Sequence, residues 1–195
     1  MLTYILEEVD FEEFILLAAA IAPGRGYIVV ADADLYHAQL KLPELSPRLV
    51  HGCDALQMVL IESWSEMYEL LETIQEVKVV ALYGILSRFV EEGLQESMDF
   101  MVEDQFSAHE LNQYFHKLFT FHARNNVQVL MADHPSLALE DTRRNSYNNS
   151  TEALLDLVVI PNVYSSKGGQ IHTTLRASMQ KWFAILESTS GLGKT

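Results

Sequence analysis

The sequence has a single cysteine, no long apolar run and no recognisable secretory signal. Cys53 stands alone among 195 residues, which excludes an internal disulfide and a cysteine-rich zinc site. No apolar stretch reaches the roughly 18 residues that a transmembrane helix needs, so no membrane association is expected. The first residues lack a basic segment followed by a small-residue cleavage site. These absences predict an intracellular protein.

Positive charge is also scarce. Thirteen Lys and Arg residues stand against 27 Asp and Glu residues, giving a net charge of −14. Basic side chains supply most of the non-specific affinity for nucleic acid, because they displace counterions from phosphates. The composition therefore disfavours autonomous tight binding to nucleic acid. It leaves room for a local basic patch or a basic protein partner.

Helical and strand patterns alternate along most of the chain. Apolar runs predict strands at 2–6, 27–31, 56–61, 78–83 and 127–132, and amphipathic patterns predict helices at 11–22, 64–75, 85–94 and 108–124. Residues 35–54 are predicted to be loop-like. Three further strands, at 154–164, 170–177 and 181–187, are predicted to be joined by hairpins. This order predicts one α/β domain over residues 1–187, with a mainly parallel sheet flanked by helices and antiparallel C-terminal strands.

The run from Lys78 to Gly84 is the predicted central strand, buried on both faces. In many nucleotide-binding α/β proteins such a strand ends in an acid that holds magnesium. Here the strand ends in Tyr83 and Gly84, so the magnesium ligand is missing.

A phosphate-binding loop is missing as well. The motif G-x-x-x-x-G-K-[ST] would be expected between the first strand and the first helix. That junction contains Glu7, Glu8 and Asp10, with neither glycine nor lysine, and these carboxylates would repel a triphosphate. The chain ends in Gly-Leu-Gly-Lys-Thr, but Ser188 stands where the motif needs its first glycine, and no helix follows. Residues 188–195 are therefore predicted to be a flexible C-terminal tail.

The order of elements resembles the ATPase core of RecA-family recombinases over nearly the whole chain. Residues 30–34 are similar to a strand end of that family, with Asp34 at the water-activating position. Residues 76–86 resemble its Walker B strand, with Tyr83 in place of the aspartate, and residues 111–133 resemble the helix and strand before its second DNA-binding loop. The resemblance implies a degenerate nucleotide site formed by Glu7, Glu8, Asp10, Asp34 and Tyr83.

Without a phosphate cradle or a magnesium ligand, ATP hydrolysis is not expected, and neither catalytic residues nor a cofactor nor a metal is predicted. The chain resembles the small degenerate recombinase paralogues of Shu-type complexes. The resemblance implies an accessory subunit that assembles with a recombinase or paralogue and assists filaments on single-stranded DNA, in the nucleus if the organism is eukaryotic. One alternative is a RecA-like structural subunit of an Elongator-type assembly involved in tRNA modification. Another is an enzyme that uses the carboxylates at the strand ends.

The predicted irregular segment 135–152 holds the main candidates for contact with nucleic acid. It contains Arg143, Arg144 and Tyr147, and Lys167 in a predicted hairpin turn joins this set. Arginines beside an aromatic ring suit the backbone and bases of a single strand. A disordered, solvated loop is the alternative, and the acidic stretch 91–104 argues against DNA contact.

Other polar residues invite weaker hypotheses. Asp32 and Asp34 fit a metal pair or, alternatively, acids that cap a loop and face water. The spacings of His109, His116 and His122 spread them over different helix faces, unlike the i, i+4 pair of a zinc helix. Cys53 has no nearby histidine motif and is interpreted as a buried thiol.

Overall fold

The computed structural model describes residues 2–6, 9–21, 24–41, 43–86, 106–133, 155, 158–160 and 173–187. The described strands are β1 (Leu2–Ile5), β2 (Gly26–Val30), β3 (Leu56–Leu60), β4 (Val79–Tyr83), β5 (Phe106–Ser107), β6 (Gln128–Ala132), β7 (Val158–Ile160), β8 (Thr173–Thr174) and β9 (Phe183–Leu186). The described helices are α1 (Phe11–Ile21), α2 (Ala33–His37), α3 (Pro47–Asp54), α4 (Trp64–Thr73), α5 (Ala108–Asn125) and α6 (Leu175–Met179).

Six strands form one parallel sheet in the order β3-β2-β4-β6-β1-β9. This arrangement confirms the predicted α/β class and is consistent with a RecA-like or Rossmann-type core. Strand β1 lies between β6 and β9, so the order differs from the 3-2-1-4-5-6 order of the dinucleotide-binding fold. Strands β5, β7 and β8 form a separate small sheet.

Helices cover both faces of the central sheet. One apolar cluster joins α1 to the sheet, with α2 and α3 at its margin, and the other joins α4, α5 and α6 to the opposite face. Strand β4 serves both clusters because its side chains alternate: Val79, Ala81 and Tyr83 face α1, whereas Val80 and Leu82 face the other way. All five residues of β4 are buried, as the sequence predicts.

Helix starts follow local capping chemistry. The Asp10 carboxylate accepts a hydrogen bond from the Glu13 backbone N–H at 2.8 Å, and the Ser63 hydroxyl accepts one from the Glu66 backbone N–H at 3.3 Å. The Glu66 carboxylate accepts from the Glu62 N–H at 2.8 Å, which ties the chain before α4 to its first turn. These contacts confirm the helix starts that the sequence predicts at 11 and 64.

Two predictions about local structure are wrong. Residues 35–54 are not wholly loop-like, because α2 ends and α3 lies within them. Pro47 is the first residue of α3 rather than a helix breaker, and Ser46 caps it, since proline fits the first helical turn where its missing N–H has no partner. The strand predicted at 170–177 is also wrong over its second half, where the Thr174 hydroxyl caps α6 by accepting from the Ala177 N–H at 3.2 Å.

The last strand runs in an unexpected direction. β9 pairs parallel with β1, with Leu2 opposite Phe183 and Ile5 opposite Leu186. Because α6 lies between β8 and β9, the chain can reverse before β9 without a hairpin. The predicted antiparallel extension of the central sheet is therefore not seen among the described residues. The antiparallel pair β7–β8 belongs to the small sheet.

Candidate functional site

The carboxyl edge of the parallel sheet is where α/β proteins bind ligands, and here that edge is acidic. Carboxylates follow the described ends of five strands: Asp10 after β1, Asp32 after β2, Glu62 after β3, Asp133 after β6 and Glu187 after β9. Strand β4 ends instead in Tyr83 and Gly84. Negative charge at this edge opposes a phosphate ligand.

Tyr83 is bound into the junction between β1 and α1. Its hydroxyl donates a 2.8 Å hydrogen bond to the backbone carbonyl oxygen of Val9. Its ring packs against Phe11 and Phe14, with both ring centroids at 5.1 Å. The side chain is 1% exposed. Tyr83 therefore fastens the start of α1 to the end of the central strand.

This contact depends on a small residue between the two strands. Strand β6 lies between β4 and β1, and its Ala132 is paired with Tyr83 on one side and with Ile5 on the other. Ala132 and Tyr83 belong to the same apolar cluster, so their side chains share a face of the sheet. A methyl group at this position leaves room for the tyrosine to reach across β6.

The N-terminus of α1 carries its own anion. A helix N-terminus binds phosphate through free N–H groups and the positive end of the helix dipole. In α1 the Asp10 carboxylate already accepts from the Glu13 N–H, and Glu12 and Glu13 lie in the first turn. An incoming phosphate would have to displace one carboxylate and approach two others.

The environment of Tyr83 also opposes ionisation of its own hydroxyl group. Burial raises the pKa of Tyr83 well above its ordinary value, and the negative charges of Asp133, Asp10 and Glu12 raise it further. The hydroxyl therefore keeps its proton at neutral pH and stays a hydrogen-bond donor. A protonated hydroxyl carries no negative charge, so it is not an anionic ligand for magnesium under these conditions.

Asp133 adds a buried carboxylate beside Tyr83. It follows β6, is 1% exposed, and accepts a long hydrogen bond of 3.5 Å from the Tyr4 hydroxyl. Burial is the main cause that raises the pKa of Tyr4, and the charge of Asp133 and this hydrogen bond add to it, while Arg176 acts in the opposite direction. Asp133 thus links the ends of β1 and β6.

Asp32 and Asp34 take different positions. Asp32 caps α2, its carboxylate accepting from the Leu35 N–H at 2.9 Å. Asp34 lies in the first turn of the same helix and is exposed. This geometry matches the interpretation of both residues as acids that cap and face water.

The described cavity at this edge is small. It is lined by Ala31, Ile61, Ser63, Trp64 and Ile85 and has a volume of about 10 Å³. Such a space holds about one water molecule, and a nucleotide does not fit in it.

The remaining predicted site residues lie outside the described ranges. They are Glu7, Glu8, Arg143, Arg144, Tyr147 and Lys167. Of the predicted degenerate nucleotide site, Asp10 and Tyr83 lie close to the β1–α1 junction, whereas Asp34 follows β2.

The described histidines of α5 have structural contacts. The His122 Nδ1 lies 2.6 Å from the Val127 carbonyl oxygen, and the His116 ring packs edge-on against Trp182 at 5.7 Å. Within the described ranges, no three His, Cys, Asp or Glu side chains are grouped so that they could hold a metal ion. None of the described helices is long and apolar enough to cross a membrane.

The sequence interpretation missed the partners of Tyr83. The spacing of Phe11 and Phe14 puts both on one face of the predicted helix at 11–22, and strand alternation puts Tyr83 on the sheet face opposite Val80 and Leu82. The spacing of the two phenylalanines together with this alternation could have predicted the aromatic contact. Val9 acts through its carbonyl oxygen, so its side chain gives no signal.

A scan against protein-family models finds no family that matches this sequence, and a search of curated proteins finds no match either.

Proposed function

We propose that this chain is a RecA-like accessory subunit without ATPase activity that works in homologous recombination. It assembles with a recombinase or a recombinase paralogue and assists the filament on single-stranded DNA. The observation that carries the proposal is the hydrogen bond from Tyr83 to Val9, which closes the β1–α1 junction. In a working RecA-like motor, that junction and that strand end would hold phosphate and magnesium.

Three further features support a non-catalytic role. The Asp10 carboxylate accepts from the Glu13 N–H in the first turn of α1, so a phosphate would have to compete with it there. The acids at the strand ends repel a triphosphate. The parallel sheet and its two helical layers are retained, with a fully buried central strand. A fold kept without its ligand site fits a role in assembly.

The acidic composition bears on the mode of DNA contact. With a net charge of −14, the chain is proposed to reach single-stranded DNA through its complex. Arg143, Arg144, Tyr147 and Lys167 remain the candidates for a direct contribution. A nuclear location follows from this function if the organism is eukaryotic.

Affinity purification of the tagged chain from its own cells, followed by mass spectrometry, tests the assignment. The proposal expects a recombinase or a recombinase paralogue, enriched over an unrelated acidic protein of similar size. Enrichment of Elongator subunits would contradict it and support the alternative role in tRNA modification. Loss of filament assistance in a reconstituted recombination assay on removal of this subunit provides the functional readout.

A further inference from the structure

Strand β9 is an edge strand whose outer side is open within the described part of the chain. It is the last strand of the sheet and pairs with β1 alone. The Leu2 N–H donates to the Trp182 carbonyl at 3.2 Å, and the Leu6 N–H donates to the Leu186 carbonyl at 2.8 Å. Because hydrogen bonding alternates along a strand, the backbone groups of Phe183 and Ile185 point away from β1.

The side chains of this edge do not protect it. Open edges are usually blunted by a lysine or proline within the strand, or by a bulge. β9 reads Phe-Ala-Ile-Leu, and its last three side chains are half-buried. Trp182 is also half-buried, and Phe119, at 36% exposure, lies 5.8 Å from it between ring centroids. The strand and the adjoining aromatic pair form a continuous apolar border.

We propose that β9 is a dimer interface, where it pairs antiparallel with β9 of a second copy of this chain. The register that we infer is centred on Ala184. It sets Phe183 opposite Ile185 of the partner subunit, and both residues have the outward backbone groups that such a pair needs. Two six-stranded sheets then become one continuous sheet of twelve strands.

Charge complementarity selects this register. Lys181 and Glu187 flank β9, and both are exposed. Antiparallel pairing about Ala184 brings Lys181 to the level of Glu187 of the partner subunit, and the two-fold axis repeats the contact. A shift of two residues would set Glu187 opposite Phe183 of the partner subunit and leave both charges without opposite partners.

The other edge strand of the sheet, β3, has a less favourable charge pattern for pairing with a second copy of itself. Strand β3 is flanked by two acids, Asp54 at the end of α3 and Glu62 after the strand, and by no basic residue within two positions of either end. Antiparallel self-pairing of β3 would bring only negative charges near each other. The charge pattern therefore favours β9 over β3 for pairing between two copies. This inference does not depend on the proposed function.

Sedimentation equilibrium of the purified full chain, from about 1 to 100 µM, tests the dimer in the range where moderate affinities are resolved. We expect a reversible monomer–dimer equilibrium. Lys181→Glu and Glu187→Lys should each raise the dimer dissociation constant about tenfold, because each change converts two attractive contacts into repulsive ones. An equimolar mixture of the two variants should dimerise again. A chain that stays monomeric throughout, or single variants that dimerise like the natural chain, would overturn the proposal.

Disulfide cross-linking tests the register separately. The two Ala184 residues form a non-hydrogen-bonded pair on the two-fold axis, with a Cα separation of about 4.5 Å, which a disulfide can span. In a Cys53→Ser background, Ala184→Cys should form a covalent dimer readily, whereas the exposed control Ala177→Cys should not. Equal cross-linking of the two variants contradicts the register.

A backbone variant completes the test. Ile185→Pro removes an N–H that points away from β1, so it should abolish the dimer without removing a hydrogen bond of the central sheet. Circular dichroism confirms that the variant is folded. If it is not, the charge exchange and the cross-linking still decide the outcome.

Discussion

The Tyr83 hydroxyl donates its hydrogen bond to a carbonyl 74 residues earlier in the chain, that of Val9, at 2.8 Å. The bond joins the end of the central strand to the junction before α1, the two places where a RecA-like motor would hold magnesium and phosphate. Under the proposed function, the side chain that stands where an acid would be expected also closes the junction where phosphate would bind. This one contact would then account for an absence of nucleotide chemistry in a fold that is kept.

Tyr83→Phe should destabilise the chain without unfolding it. The buried carbonyl of Val9 loses its donor, whereas the ring contacts with Phe11 and Phe14 stay, so the free energy of unfolding should fall by about 1–3 kcal/mol. Urea denaturation at pH 7 measures the change. Tyr27→Phe is the matched control, because Tyr27 is half-buried and its hydroxyl has no hydrogen bond to any described residue. Equal effects in the two variants would contradict the role assigned to the Tyr83 bond.

Ala132→Leu should disturb the same contact from the neighbouring strand. Ala132 is fully buried between Ile5 and Tyr83, so three added heavy atoms must displace one of them, at a cost of about 1–3 kcal/mol. Thermal unfolding measures the loss. Ala123→Leu, at an exposed position of α5, is the control and should change stability by less than about 0.5 kcal/mol. If Ala132→Leu left the thermal stability unchanged, the space between Ile5 and Tyr83 would not be filled as described.

Substitutions at Asp32 and Asp34 should differ in their effect on stability, because only Asp32 caps α2. Asp32→Ala removes the cap of α2 and should cost about 1 kcal/mol, whereas Asp34→Asn should cost only a few tenths, because its side chain is exposed. Chemical denaturation of both variants gives the comparison. A larger loss of stability in Asp34→Asn than in Asp32→Ala would contradict this assignment and would support a functional role for Asp34.

Alkaline pH should destabilise the chain through its buried tyrosines. Burial raises the pKa of Tyr4 and Tyr83 above their ordinary value of about 10. Above that pH the unfolded chain releases protons that the folded chain retains. Stability should therefore be independent of these groups below pH 10 and fall above it by about 1.4 kcal/mol per pH unit for each tyrosine.

Denaturation curves measured between pH 8 and pH 11 check this dependence. Tyr4→Phe and Tyr83→Phe should each reduce the slope of stability against pH above pH 10 by the contribution of one tyrosine, about 1.4 kcal/mol per pH unit. A decline that is unchanged in both variants would assign it to other residues.

Much of the fold could be predicted from the sequence because its signals are local. The five residues of β4 form a continuous apolar run, which predicts a buried strand. Asp10 and Ser63 are residue types that favour helix starts, and they cap α1 and α4. The pairing of β9 could not be read in this way. Its direction depends on α6, and the five residues of α6 are too few to show a helical period.

The sequence shows which motif residues the candidate site lacks, but it does not show which contacts the site makes. The missing glycine, lysine and acid are visible in the sequence at Glu7–Asp10 and at Tyr83. The bond from Tyr83 to Val9 is not visible, because its acceptor is a backbone atom and its path depends on the small size of Ala132. The strand order, which places β6 between β4 and β1, is a tertiary property.

Direct measurement of ATP binding and hydrolysis by the purified full chain tests the central claim most closely. Titration calorimetry with ATP and magnesium, and release of labelled phosphate, are compared with a Tyr83→Phe variant and with an active RecA-family recombinase. We expect neither binding nor turnover up to about 1 mM ATP, the upper end of ordinary KM values, in the natural chain or the variant. Saturable, magnesium-dependent ATP hydrolysis by the natural chain would contradict it.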